Sequence, residues 1–301
     1  MADIRDPGFI EEIRTSNYQV HRKITRYYDK KHQSVYNIGL DRIAEVAEFR
    51  SHWNIEGQPI EIVIVGAGGT GGYLIRDLCR FLYSLDKRIT SGASKVSVVV
   101  YDGDLVEEKN ILRQNFLPQD IGQNKAEVMA VRHSRAFGVD ISYIPQMFTH
   151  GDLYTRNENR NLKRIIVGCV DNNAARREIA RYLADNMESY NSPDVYWIDS
   201  GNEKKTGQVI VGNKSLMDVT DLYPEILLAR HDSVEQVSCA ERMLQDEQNM
   251  FVNLTASNLI LNYIKNIVLD IPMVTHGTVF NIDNKFDNYY ILKQTNVPTP
   301  F

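Results

Sequence analysis

One stretch, Ile60 to Asp104, limits what this chain can fold into more than any other. It begins with Ile62-Val63-Ile64-Val65, a brief β-branched run with glycines straight after it, which reads as a buried parallel strand. Gly66, Gly68, Gly69, Gly71 and Gly72 follow, and then Tyr73, Leu74, Leu78, Phe81 and Leu82 recur at helical spacing. A second β-branched run, Val96 to Val100, ends at Asp102. Strand, glycine turn, helix, strand and acid make a nucleotide-binding βαβ unit. The first glycine permits a tight turn, the second lets backbone approach a phosphate, and another lets helix pack on sheet. The helix N-terminus then offers N–H groups and partial positive charge to an anion. Asp102 stands where a carboxylate accepts hydrogen bonds from ribose hydroxyls.

By itself this pattern is shared widely. Gly66, Gly68 and Gly71 fit the spacing of any dinucleotide dehydrogenase, and a glycine turn can also exist without a ligand. The acid at the second strand end argues for a ligand. Its distance from the glycines exceeds the roughly 20 residues usual for such units, so Asp86 to Lys95 reads as a longer helix end plus a loop.

Bulk properties remove several classes. The chain has 301 residues, 43% of them hydrophobic and 24% charged, which suits one large α/β domain or two small ones. A net charge of -5 argues against a nucleic-acid partner. Without a long apolar run or an N-terminal apolar segment, the expectation is a soluble, unsecreted, cytoplasmic protein with no membrane partner. Cys79, Cys169 and Cys239 are scattered, and with no CxxC pair neither a disulfide framework nor a structural zinc site is supported.

The expected architecture is α/β: a Rossmann-like, mostly parallel sheet with helices on both faces, extended by late antiparallel strands. Residues 1–57 are expected to form an N-terminal extension and 58–301 the nucleotide-binding domain. In the extension, Tyr18 to Lys31 suggests a strand or hairpin, and Val35 to Phe49 has roughly helical spacing. Arg22, Lys23, Arg26, Lys30 and Lys31 cluster there. They form a solvated face or supply an arginine to a triphosphate.

Beyond Asp104, residues 105–114 read as a short helix or loop at the ligand-bearing edge of the sheet. Asn124 is a candidate cap for a helix through Phe137. Lys125 in its first turn opposes the helix dipole and makes more sense beside an anion. Ile141–Ile144, Arg164–Val170 and Val195–Ser200 read as further strands. Asp171, at the end of the second of these, either caps the next helix or holds Mg2+ beside phosphates. Residues 213–237 are too long for a routine connector. Ala240 to Asp270 reads as two helices, the second apolar nearly all round, and Thr275–Ile282 with Tyr289–Leu292 reads as a hairpin.

Taken together, GAGGTGG at 66–72, DGD at 102–104, NILRQ at 110–114, GQNK at 122–125 and VDNNAAR at 170–176 resemble the ThiF/MoeB family of adenylating enzymes, to which the ubiquitin-activating enzymes belong. The resemblance runs from about Glu61 through Gly212. Further on, SCAE at 238–241 and the hairpin resemble ThiF-like proteins of the bacterial PRTRC type. It implies ATP and Mg2+ as ligands. Gly66, Gly68, Gly69, Gly71, Asp102 and Asp104 would hold the nucleotide, with Asp102 on the ribose. Asn110, Arg113, Gln114 and Lys125 would surround the phosphates, and Asp171 would work with the metal. The implied reaction is attack by the C-terminal glycine carboxylate of a ubiquitin-like or sulfur-carrier protein on the α-phosphate of ATP, giving an acyl-adenylate and pyrophosphate. Such chemistry needs offset negative charge more than a base, because a carboxylate is already ionised at neutral pH. No P-loop sequence is present. A homodimer is also implied.

Two departures are visible. The paired CxxC zinc ligands of many relatives are absent, and the arginine that several relatives send to a dimer partner's triphosphate has no clean match in residues 1–57. Cys239 is a candidate acyl acceptor, since a thiol before a helix has a lowered pKa, but Glu241 nearby disfavours a thiolate and a structural role stays open. Two other readings compete. An NAD-dependent oxidoreductase leaves Arg113, Gln114, Lys125 and Asp171 without a role. A non-catalytic binding partner has no need of so many charges at one crevice.

Overall fold

The computed structural model describes residues 10–13, 22–29, 34–38, 48–55, 57–87, 96–154, 162–188, 194–228, 250–283 and 285–290. In chain order the strands are β1 (Ile10–Ile13), β2 (Arg22–Asp29), β3 (Ser34–Ile38), β4 (Ile60–Val65), β5 (Val96–Tyr101), β6 (Ile141–Ile144), β7 (Lys163–Gly168), β8 (Asp194–Asn202), β9 (Thr206–Gly212), β10 (Thr275–Asn281) and β11 (Lys285–Tyr290). The α-helices are α1 (Gly69–Asp86), α2 (Glu108–Ile111), α3 (Lys125–Phe137), α4 (Asn173–Glu188), α5 (Val219–Leu222) and α6 (Met250–Val268).

The main sheet has eight strands in the order β11-β10-β9-β8-β7-β4-β5-β6. Strands β6, β5, β4, β7 and β8 run parallel, and β9, β10 and β11 continue the sheet antiparallel. Strands β4, β5, β7 and β8 alternate between two apolar faces, as a sheet covered on both sides requires, while the edge strand β6 leaves Ser142 and Tyr143 exposed. Ile62, Ile64, Val98, Val100, Ile165 and Val167 face one core with α1, α3 and α6. Val63, Val65, Val99 and Ile166 face the other, with Ile179, Tyr182 and Leu183 of α4. Helix α1 buries Leu74, Ile75, Leu78, Cys79, Leu82 and Leu85, one stripe at helical spacing. Burial pushes the Cys79 thiol up to about 12, so it is an inert part of that stripe.

This layout matches the expected doubly covered parallel sheet with a late antiparallel extension. The chain leaves β4 toward one side of the sheet and reaches β7 on the other. Ligands of open α/β sheets bind where the strand order reverses in this way. Here that switch point lies outside the carboxyl ends of β4 and β7. Gly66 has φ +96 there, and a Cβ on it would lie 2.6 Å from the Cys169 carbonyl oxygen. Only glycine allows the two strand ends to come so close in that backbone conformation.

The N-terminal residues differ from expectation in one place. The strand or hairpin expected over Tyr18–Lys31 is present as β2, paired antiparallel with both β1 and β3. The helix expected over Val35–Phe49 begins instead as β3, because β2 offers that segment a ladder through Val35, Tyr36 and Asn37. Residues 39–47 of it, and the side chains of the basic cluster, lie outside the described residues. Phe49 and Trp53, ahead of the expected boundary at 57, pack in the main core against Tyr196, and the Trp53 indole donates to Asp194 at 2.8 Å. Helix α6 buries one face against α1 and the sheet while Asn258 and Asn262 stay exposed, so it is amphipathic rather than apolar all round.

Candidate functional site

A cleft of about 830 Å³ opens at the switch point. Its floor is the glycine turn. Gly66, Gly68 and Gly69 line it, and Gly68 stands at the N-cap of α1. Gly71 does not line it. A Cβ on Gly71 would sit 1.9 Å from the Gly66 oxygen and 3.4 Å from the Cys169 Cβ. The structure thus places it where helix packs closely on strand, one of the roles a glycine in this turn serves.

Asp102 ends β5 buried at the cleft wall. Its carboxylate accepts from the Ala67 N–H at 2.7 Å and from the Asp104 N–H at 2.9 Å. Each oxygen keeps a further acceptor position for ribose hydroxyls. Burial pushes this carboxyl above its ordinary value, while the Ala67 N–H and the Lys125 ammonium pull it down. The next helix is stapled to this loop. Asn124 caps α3 by accepting from the Glu127 N–H at 3.0 Å, and its amide donates to the Asp102 and Asp104 carbonyls. Lys125 follows with its ammonium 2.9 Å from the Asp104 carboxylate. The anion that makes a first-turn lysine tolerable is therefore partly built in. Asp104 is 54% exposed against 11% for Lys125, so solvent screens the carboxylate far more than the ammonium.

Arg113 and Gln114 form the adjoining wall. Arg113 is buried and donates through Nε to the Lys109 carbonyl at 3.2 Å. Gln114 lies over Gly68, and its side-chain oxygen is buried without a hydrogen-bond partner among the described residues. Asn110 is elsewhere. It is 2% exposed, does not line the cleft, and its side-chain oxygen accepts from the Glu107 N–H at 2.8 Å. That capping bond starts the short α2, so Asn110 shapes the segment that carries Arg113.

Across the cleft, Asp171 follows β7. The cap of α4 is Asn172, whose side chain accepts from the Ala175 N–H at 2.8 Å. Asp171 is thus released from capping: it is exposed in the cleft, with no side-chain partner among the described residues. A single carboxylate in that position suits Mg2+, which keeps several waters and takes one or two carboxylates plus phosphate oxygens. Among the described residues there is no cluster of three or more acids, histidines or cysteines that would hold a metal unaided. Cys239 lies outside the described residues. Cys169 lines the cleft, but burial pushes its thiol far up, which leaves it a poor nucleophile.

Sequence patterns alone did not single out Asp199, Arg176, Thr70, Asn202 and Asn253, all of which line the cleft. Asp199 is 2% exposed within β8, paired with Gly168 at the end of β7, and the Arg176 Nε reaches both its oxygens at 3.1 and 3.0 Å. The same guanidinium donates to the Val170 and Ser200 carbonyls at 2.9 and 3.1 Å. It therefore ties the Asp171 loop to the end of β8. The signal for Asp199 was an acid directly after the apolar run Val195–Ile198, the pattern that also marks Asp102 and Asp171.

The matched family model, the ThiF family, covers residues 58–299. The chain belongs to the ThiF family. Solved structures with this fold include PaaA, at 13% identity and TM-score 0.51, covering 80% of this chain and 66% of that one. Another is E. coli MccB with AMPCPP and MccA, at 16% identity and TM-score 0.52, with 80% and 66% covered. E. coli MccB with ATP aligns at 17% identity and TM-score 0.52, with 81% and 67% covered. This ThiF-family chain thus spans about two thirds of the length of those neighbours. No curated protein matches it. Among its described residues no helix is long and apolar enough to cross a membrane.

Proposed function

We propose that this ThiF-family protein adenylates the C-terminal glycine carboxylate of a ubiquitin-like or sulfur-carrier protein, using ATP and Mg2+. One observation carries the reading. Asp102, Arg113, Lys125 and Asp171, from four separate segments, meet on one cleft at the sheet's switch point. The glycine turn and the first turn of α1 would face the phosphates, with Asp102 on the ribose. Arg113 and Lys125 would offset the charge of a carboxylate approaching an anionic phosphate. Asp171 would hold Mg2+, which supplies further charge neutralisation and orients the phosphates. The carboxylate oxygen bonds to the α-phosphorus, and the bond to the bridging oxygen breaks as pyrophosphate leaves with the electron pair. No side chain has to remove a proton.

The solved MccB structures, with ATP or with AMPCPP and MccA, support the pairing of nucleotide with a second substrate in this fold. The resemblance to dimeric relatives and the soluble composition support a cytoplasmic homodimer. Calorimetric titration with Mg-ATP and with NAD tests the core reading. ATP binding that needs the divalent cation, with NAD ignored, is expected; tight NAD binding without ATP binding would overturn it. Light scattering at micromolar concentration tests the dimer, and a monomer mass would count against it.

A further inference from the structure

At the far end of the cleft from Asp102, three polar side chains close on one another. Thr70 comes from the first turn of α1, Asn202 from the end of β8 and Asn253 from the first turns of α6. The Thr70 hydroxyl donates to the Asn253 side-chain oxygen at 3.2 Å. The Asn202 amide donates to that oxygen at 3.0 Å and to the Thr70 hydroxyl at 2.7 Å. With two donors on its oxygen, the Asn253 amide has one orientation. Its nitrogen is turned to Gly69, 2.5 Å from where a Cβ would stand. That nitrogen has no partner among the described residues, and Asn253 lines the cleft. Fixing it leaves the Asn202 oxygen buried and without a partner among the described residues. A buried polar group left unsatisfied in order to aim another one calls for an explanation.

We propose that Asn253 binds the acceptor's terminal carboxylate, holding one oxygen by an amide N–H while the other oxygen attacks the α-phosphorus. The inference rests on the adenylation reading. An N–H over Gly69 sits beside the glycine turn that faces the phosphates, where the attacking group must also lie. A neutral amide orients a carboxylate without neutralising it, so the carboxylate stays nucleophilic, whereas the phosphate wall carries Arg113 and Lys125. The hydrogen bond passes from the carboxylate to the carbonyl of the acyl-adenylate as pyrophosphate leaves. Thr70 and Asn202 are positioning residues.

The test needs no cognate acceptor. Binding of 5′-sulfamoyl adenosine and of its N-acetyl-glycylglycyl derivative, a stable mimic of a peptidyl adenylate, is measured by calorimetry. The wild type should bind the acylated compound more tightly. Asn253→Ala and Asn253→Asp should bind sulfamoyl adenosine like wild type but lose about tenfold to a hundredfold of the gain from acylation. Asn253→Asp keeps the oxygen that accepts from Thr70 and Asn202, so it carries the test if the alanine variant does not fold. A full gain in both variants overturns the proposal. So does an equal loss on sulfamoyl adenosine, which would assign Asn253 to the nucleotide. Wild-type binding of sulfamoyl adenosine with no gain from acylation overturns this subsite alone. No binding of either compound overturns the adenylation reading and the subsite together.

Discussion

The two ends of the cleft are built differently. The nucleotide end comes from one continuous run, Gly66 to Lys125, and it is charged: Asp102, Asp104, Arg113 and Lys125. The other end is assembled from Thr70, Asn202 and Asn253, brought together across 183 positions of chain between Thr70 and Asn253, and it is neutral. The nucleotide end must offset phosphate charge, which few residue types can do. On the proposed reading the other end would orient a carboxylate without quenching it, which hydrogen-bonding amides do. Between them stands the buried Arg176–Asp199 pair, which bonds to carbonyls on both strand ends.

Breaking that pair should have the largest effect. Arg176→Ala leaves Asp199 buried without its cation and should cost about 3–5 kcal/mol of stability, read by denaturant unfolding. Burial already holds the Asp199 carboxyl above its ordinary value, and losing Arg176 removes the charge that opposes this shift. The folded variant would then hold a proton at pH values where its unfolded chain does not. The deficit should accordingly shrink as pH falls toward the ordinary carboxylate range. A deficit that does not change with pH would show the pair to be less isolated than its burial implies.

Lys125→Ala sharpens the comparison at the charged end. Removing one preorganised charge from a reacting phosphate should cost about 2.7–4 kcal/mol, or roughly a hundred- to thousand-fold in acceptor-driven ATP–pyrophosphate exchange. Near-normal exchange would mean that Asp104 keeps Lys125 for structure alone. Gly71→Ala tests the floor. Its Cβ would meet backbone that cannot yield, so a loss of about 1–3 kcal/mol is expected in thermal unfolding, with weaker nucleotide binding as the turn shifts. A last effect lies away from the cleft and shows only on acidification. Burial, with help from Arg132 and Arg76, drops the His133 pKa to about 4. Between its unfolded value near 6.5 and 4, the unfolded chain binds more protons. Stability should therefore be full above about pH 6.5 and fall as pH drops toward 4. His133→Gln should flatten that slope in melting temperature, and an unchanged slope would place the acid sensitivity elsewhere.

Much of the nucleotide end was legible because its signals are local. A strand, its glycines and the acid closing the next strand are set by neighbouring residues, as are the Asn124 cap and the start of α3. The family's motif order named Arg113, Lys125 and Asp171, and the fold brings all three to the cleft. Local pattern misled where a neighbouring strand could outbid it, as at Ser34–Ile38, which pairs with β2.

Short stretches of sequence were enough to dictate the parallel strands, the glycine turn and the residue types available to meet phosphate, because buried strands and tight turns restrict composition over a few consecutive positions. Long-range packing was needed to establish that Asn172 caps α4 and frees Asp171, that Asp199 is held by Arg176, and that Asn253 is aimed over Gly69. An asparagine in a helix that also carries Asn258, Asn262 and Asn266 bears no mark of its partner. Its role is fixed by which face of α6 packs on α1, and that follows from burial summed over the whole core.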